Sequence, residues 1–306
     1  MNTKYLIGLV IAVLVVGLIV FIAFPKASPR ATQKLQVVAS FYPLYFFAAQ
    51  VGGDKAEVVN STPAGAEPHD YEPTAQDIAR IETSDLLILN GGKLESWGDK
   101  LQTNLDPKRT LVITAGQGLA TAHVVEDGQT IIDPHVWLSP PLALQMVDKI
   151  TEGFVRVDPA DADYYTANAN ALKSELSALD ADYQTGLSHC RQKNIITSHA
   201  AFGYLASTYH LSQVPIAGLS PDTEPSPKQL TEIAQFAKNH NVTYIFFESL
   251  VSPKLAQTIA NEVGAETLVL NPIEGLSKDE IVLGKTYFTE MRSNLANLKI
   301  ALQCTA

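Results

Sequence analysis

The sequence predicts an α/β protein, with two parallel-sheet lobes joined by one long rigid helix and a binding site in the cleft between the lobes. Three observations lead there. At 306 residues the chain exceeds one typical domain. Short apolar strands such as Asp85–Asn90 and Val242–Phe247 alternate with helical segments, the pattern of a parallel sheet covered on both faces. Between the two alternating regions, Ala160 to about Leu187 runs without Pro or Gly until Gly186. As a helix this run of about 28 residues spans roughly 42 Å, enough to bridge two lobes.

The N-terminus comes first. Tyr5 to Phe24 is an uncharged apolar run of 20 residues, long enough to cross a hydrocarbon core as a helix. Lys4 and the amino terminus give it a positive start. Pro25 and Pro29 crowd the window where a leader would be cleaved, and no Cys follows the run to carry a lipid. Residues 1–34 therefore read as an uncleaved signal anchor and linker, with a cleaved leader as the alternative. The body would then be extracytoplasmic, at a cell surface or in a periplasm, tethered to the plasma membrane.

The first lobe, residues 35–157, begins with the strand-like Leu35–Ser40, followed by a helix over Pro43–Val51 and a strand from Val58. Thr74 and Asp77 have capping-box spacing and start a helix to about Glu82. Strands at Asp85–Asn90 and Leu111–Ile113 follow, then a helix from Pro141 to about Val157, which Asp158-Pro159 breaks. Residues 158–188 form the linker helix. In the second lobe, residues 189–306, Ile195–Thr197, Gln213–Ile216, Val242–Phe247 and Thr267–Leu270 read as strands. Helices over Ser226–Asn239 and Pro253–Val263 and a C-terminal helix separate and close them. No internal repeat is strong enough to indicate duplication.

A net charge of −10 and a pI near 5.1 exclude nucleic acid and anionic membrane surfaces as partners. There is no phosphate-cradling glycine loop, no Gly-x-Ser-x-Gly elbow and no His-Glu-x-x-His helix. Cys190 follows the linker helix and Cys304 ends the C-terminal helix, which must return to the second lobe. In an oxidising compartment they pair as one disulfide; in a cytosolic protein they stay unpaired thiols.

Three of the seven histidines share a setting. His69 lies in Glu67-Pro68-His69-Asp70, His135 in Asp133-Pro134-His135-Val136, and His199 just beyond the strand Ile195–Thr197. All three occupy loops or strand ends, where open α/β sheets bind ligands. Pro68 and Pro134 fix the backbone just before two of the rings. Neutral imidazoles suit zinc, and also nickel, copper or cobalt. Each ring taken singly also reads as a loop histidine bonded to backbone. Glu248, at another strand end, reads as a ligand, a partner for an imidazole N–H, or a helix cap, the imidazole partner being favoured. His123, His189, His210 and His240 read as surface residues.

Together, Pro68-His69-Asp70-Tyr71-Glu72-Pro73, Asp133-Pro134-His135-Val136-Trp137-Leu138-Ser139-Pro140, Ser198-His199-Ala200-Ala201-Phe202-Gly203-Tyr204 and Ile245-Phe246-Phe247-Glu248 resemble the solute-binding proteins of zinc and manganese ABC importers, the ZnuA/TroA-like family. The resemblance covers the chain from Leu35 onward. It implies two α/β lobes on a rigid helix, metal ligands at His69, His135 and His199, a monomer, and delivery of the ion to a membrane permease without catalysis. Manganese-type members tend to carry Glu at the third position and zinc-type members His, so His199 favours zinc, with manganese the alternative. Many members supply an Asp after the last strand as fourth ligand. Here Asn271 stands in that place, so the fourth ligand is Asn271, a water or Glu248. Asn271→Asp is then expected to raise affinity for zinc, and more for manganese. Ala120 to Thr130 carries only His123, Glu126 and Asp127 where many zinc receptors have a His/Asp-rich loop. The rival functions are a zinc hydrolase with an open water position, and a surface adhesin.

Overall fold

The computed structural model describes residues 34–126 and 128–305. The apolar run Tyr5–Phe24, and with it the expected anchor, lies outside the described residues. Among the described residues no helix is long and apolar enough to cross a membrane.

Two four-stranded sheets organise the chain from Leu35 onward. The first contains β1 (Leu35–Ala39), β2 (Ala56–Asn60), β3 (Leu86–Leu89) and β4 (Leu111–Thr114), all parallel, in the order β2-β1-β3-β4. The second contains β7 (Asn194–Thr197), β8 (Ser212–Pro215), β9 (Tyr244–Phe247) and β10 (Glu266–Val269), also parallel, in the order β10-β9-β7-β8. Numbered within its own half, each sheet reads 2-1-3-4. The residues of β3 are buried throughout, as a strand covered on both faces must be.

Helices α1 (Tyr42–Gly52), α2 (Ala75–Thr83), α3 (Gly98–Asn104) and α4 (Pro140–Val157) accompany the first sheet. The long helix α5 (Ala162–Leu187) has 26 residues and starts after the break at Asp158-Pro159, two residues later than the sequence suggested. Its buried residues Tyr165, Ala169, Leu172, Leu176, Leu179, Tyr183 and Leu187 recur every three or four positions and form a single stripe. That stripe packs on α1 and α4 from the first half and on α10 (Tyr287–Ala301) from the second. One continuous core therefore joins Phe154 and Leu176 to Leu270 and Leu295. The second sheet is also flanked by α6 (Gly203–Thr208), α7 (Pro227–Asn239), α8 (Lys254–Val263) and α9 (Lys278–Val282). Capping boxes start α2 at Thr74 and α7 at Ser226.

The region Ala120–Thr130, to which the sequence assigned no element, holds most of an antiparallel hairpin of β5 (His123–Glu126) and β6 (Gln129–Ile132). Gly128 takes φ +74 at its turn, which glycine tolerates without steric cost.

Cys190 and Cys304 form a disulfide across 114 positions. Gln192 N–H donates to Leu302 O and Thr305 N–H to His189 O, both at 3.0 Å, so backbone pairing flanks the bridge. Replacing both cysteines with Ser is expected to cost roughly 4–5 kcal/mol of stability in the chain-entropy model. Urea unfolding of wild type with and without reductant, beside the double variant, checks this: reduction should lower the midpoint of wild type only.

Candidate metal centre

Each half of the fold contributes two donors at the carboxyl ends of its strands. His69 follows β2, His135 follows β6, His199 lies two residues beyond β7, and Glu274 follows β10. Their donor atoms converge. His135 Nε2 lies 3.2 Å from His69 Nε2, 3.4 Å from His199 Nε2 and 3.0 Å from Glu274 Oε1. Glu274 Oε1 is 3.3 Å from His69 Nε2 and 3.4 Å from His199 Nε2. His135, His199 and Glu274 are buried, and the His69 side chain is 11% exposed.

Local sequence explains the aim of each ring. Glu67-Pro68-His69 and Asp133-Pro134-His135 repeat one device, in which the acid accepts a hydrogen bond from the histidine N–H two residues on. The distance is 3.3 Å for Glu67 Oε1 and 2.9 Å for Asp133 Oδ1. Asp133 Oδ1 also accepts from His135 Nδ1 at 2.7 Å. Gly203 permits this arrangement, since a Cβ there would meet Asp133 Oδ2 at 2.8 Å. Asn90, at the end of β3, donates through Nδ2 to Pro134 O at 2.9 Å and pins the His135 loop to the first sheet. In the second half Glu248, immediately after β9, accepts from His199 Nδ1 at 2.7 Å. The two carboxylates place the imidazole protons on Nδ1, leaving Nε2 lone pairs pointed at the common centre. The favoured role for Glu248 as an imidazole partner matches this position.

The fourth converging side chain differs from the one the sequence pointed to. Asn271 is buried but turned away from the cluster. Its Oδ1 accepts from Ile273 N–H at 2.8 Å, and its Nδ2 donates to Ser249 Oγ and Glu290 Oε2, each at 3.1 Å. Every polar atom of the amide is engaged, and the fourth atom that converges with the three imidazoles belongs to Glu274 instead. Asn271→Asp would set a carboxylate against Glu290, so the expected gain in affinity does not follow. The signal for Glu274 was present as a carboxylate in the Pro-containing loop after the last strand. His123, His189, His210 and His240 are exposed, away from the site.

Residues 37–301 match the family model described as "Zinc-uptake complex component A periplasmic". The chain belongs to the ZnuA family. It is 42% identical over 280 residues to the high-affinity zinc uptake system protein ZnuA of Bacillus subtilis, covering 88% of each. The Zn(II)-bound ZnuA-like domain of Streptococcus pneumoniae AdcA superposes with TM-score 0.76 at 40% identity, over 88% of this chain and 99% of that one. The chain spans 56% of the full length of AdcA. The laminin-binding protein of Streptococcus agalactiae, described as bifunctional with adhesin and metal-transporting activity, gives TM-score 0.80 at 38% identity, over 88% of this chain and 100% of that one.

The electrostatics of this ZnuA-family site follow from its crowding. Burial lowers the His69 pKa. Burial acts the same way on His135 and His199, but carboxylates outweigh it: Asp133 and Glu274 raise His135, and Glu248 and Glu274 hold His199 well above the usual imidazole range. Burial would push Glu274 up, yet the three histidines hold it well below the usual carboxylate range. Burial and the nearby Glu274 push Glu67 up to about 9.

The metal-free cluster therefore holds protons that a cation at Nε2 must displace. For the metal-free fold, a raised imidazole pKa contributes stability that is complete below about 6.5 and lost as pH rises through the folded value. A bound cation works in the opposite sense. Cation affinity is expected to fall as pH drops, beginning above the ordinary imidazole range, with protons released on binding near pH 7. Calorimetric titrations in buffers of different ionisation enthalpy measure that release, and a buffer-independent heat would contradict it.

Proposed function

We propose that this chain is the extracytoplasmic receptor of a zinc ABC importer, catching one zinc ion on His69, His135, His199 and Glu274 and handing it to a membrane permease. The observation that carries this reading is the spacing of the four donors. A tetrahedron of ligands at about 2.0–2.1 Å from zinc has edges of about 3.3–3.4 Å. Five of the six donor separations, at 3.0–3.4 Å, lie close to that figure, and all six are within 4.8 Å. Three imidazoles and one carboxylate suit zinc better than manganese, which favours oxygen donors.

Four protein ligands also close a tetrahedral shell, whereas catalytic zinc keeps a position for water. The donor set thus suits holding and release rather than hydrolysis. Because two donors come from each half, any movement that separates the halves breaks the shell and frees the ion. The names of the relatives, a high-affinity zinc uptake protein and a Zn(II)-bound domain, support the same cargo. The apolar run Tyr5–Phe24 would tether the receptor beside its permease.

Native mass spectrometry of the body from Leu35 onward is expected to find one zinc per chain. Ala in place of His69, His135, His199 or Glu274 should each weaken zinc by more than about 100-fold, exceeding what is usual for outer-shell residues. Chelator competition measures this, and a variant with wild-type affinity would remove its residue from the shell.

A further inference from the structure

The loop that presents Glu274 adopts a conformation its own sequence disfavours. Ile273 sits at φ +59, in the left-handed region. A β-branched residue is crowded there, Cβ against its own carbonyl, and the position is normally left to Gly or Asn. Ile273 is fully buried, so solvent cannot relieve the crowding. Strain of this kind persists only when the surroundings over-determine it.

The surroundings are a clamp from α10. Asn294 Oδ1 accepts from Asn271 N–H at 2.8 Å, and Asn294 Nδ2 donates to Asn271 O at 2.7 Å. One side-chain amide thereby satisfies both backbone groups of Asn271, as a neighbouring strand would. Glu290, one helical turn earlier on α10, takes the Asn271 side-chain amide. That leaves Asn271 Oδ1 aimed at Ile273 N–H, at 2.8 Å. Trp137 Nε1 holds the intervening Pro272 carbonyl at 2.8 Å. Asn294 is 2% exposed and is not among the four converging donors.

We propose that Asn294 is a positioning residue of the metal site: by clamping the Asn271 peptide it holds Ile273 left-handed and so keeps the Glu274 carboxylate facing the three imidazoles. This rests on the reading of Glu274 as a ligand. Without the clamp Ile273 relaxes to an ordinary backbone conformation, the peptide leading into Glu274 turns, and the carboxylate leaves the centre. The three histidines are held independently, by Glu67, Asp133 and Glu248, and stay in place.

Cobalt(II), whose visible absorption reports coordination geometry, is the probe, together with chelator-competed zinc affinity. Asn294→Ala is expected to lower zinc affinity about 10–100-fold, as loss of an outer-shell partner commonly does, and to change the cobalt spectrum towards that of Glu274→Ala. Asn294→Asp keeps the acceptor and loses the donor, so its loss should be smaller. It also serves if the alanine variant fails to fold. Adding Ile273→Gly to Asn294→Asp should restore part of the affinity, because glycine takes positive φ without strain. A merely structural role for Asn294 predicts the opposite, a further loss from the vacated Ile273 volume. Wild-type affinity and spectrum in Asn294→Asp would overturn the proposal, as would a further loss on adding Ile273→Gly. If wild type itself binds neither metal, the metal-site reading fails instead.

Discussion

Three imidazole lone pairs and a carboxylate oxygen meet within 3.4 Å of one another along five of their six edges. None of these atoms can donate to another while the imidazole protons sit on Nδ1. In a buried site such an arrangement is repulsive unless positive charge lies at its centre. Much of the local construction resists that repulsion. Prolines stiffen the two loops that carry His69 and His135, carboxylates hold the backs of His135 and His199, and a strained turn pushes Glu274 inwards. The raised imidazole pKa values express the same demand met by protons.

The two sheets answer that demand from matching frameworks. Each has the order 2-1-3-4, which places its topological switch point between the first and third strands. Each switch point holds a buried carboxylate. At the first, Glu95 accepts from Ser40 Oγ at 2.5 Å, Asn90 N–H at 2.7 Å and Gly91 N–H at 3.0 Å. At the second, Glu248 bonds directly to the His199 ring. The switch-point carboxylate of the first half thus reaches His135 only through an intermediary, since Asn90 carries the order from Glu95 to the Pro134 carbonyl. The common framework was not visible as a sequence repeat. Strand order depends on which apolar segments pack together, and many sequences satisfy the same order.

Much else was legible. Strand and helix positions followed from apolar runs, capping boxes and proline breaks, because those signals are local. The short α3 and α6 were missed, having too few turns to show periodicity. The three histidines stood out because proline or a strand end marked each one. Glu274 did not, and Asn271 drew the reading instead. The reason is physical: which residue of Asn271-Pro272-Ile273-Glu274 faces the centre depends on a positive φ at Ile273. That angle is imposed by α10, about twenty residues further on, and nothing local in an Asn-Pro-Ile-Glu segment announces it. The hairpin of β5 and β6 was likewise hidden, its strands short and mixed in character.

The Cys190–Cys304 bridge makes the whole second sheet a covalent ring. His199, Glu248 and Glu274 lie inside it, whereas His69 and His135 lie outside. A protease that nicks an exposed loop of the ring once releases no fragment, because the two new ends stay joined through sulfur. The severed strands remain at high local concentration and can stay paired in their sheet. A chain so cut keeps His199 and Glu274 tied to His69 and His135 until a reductant opens the ring.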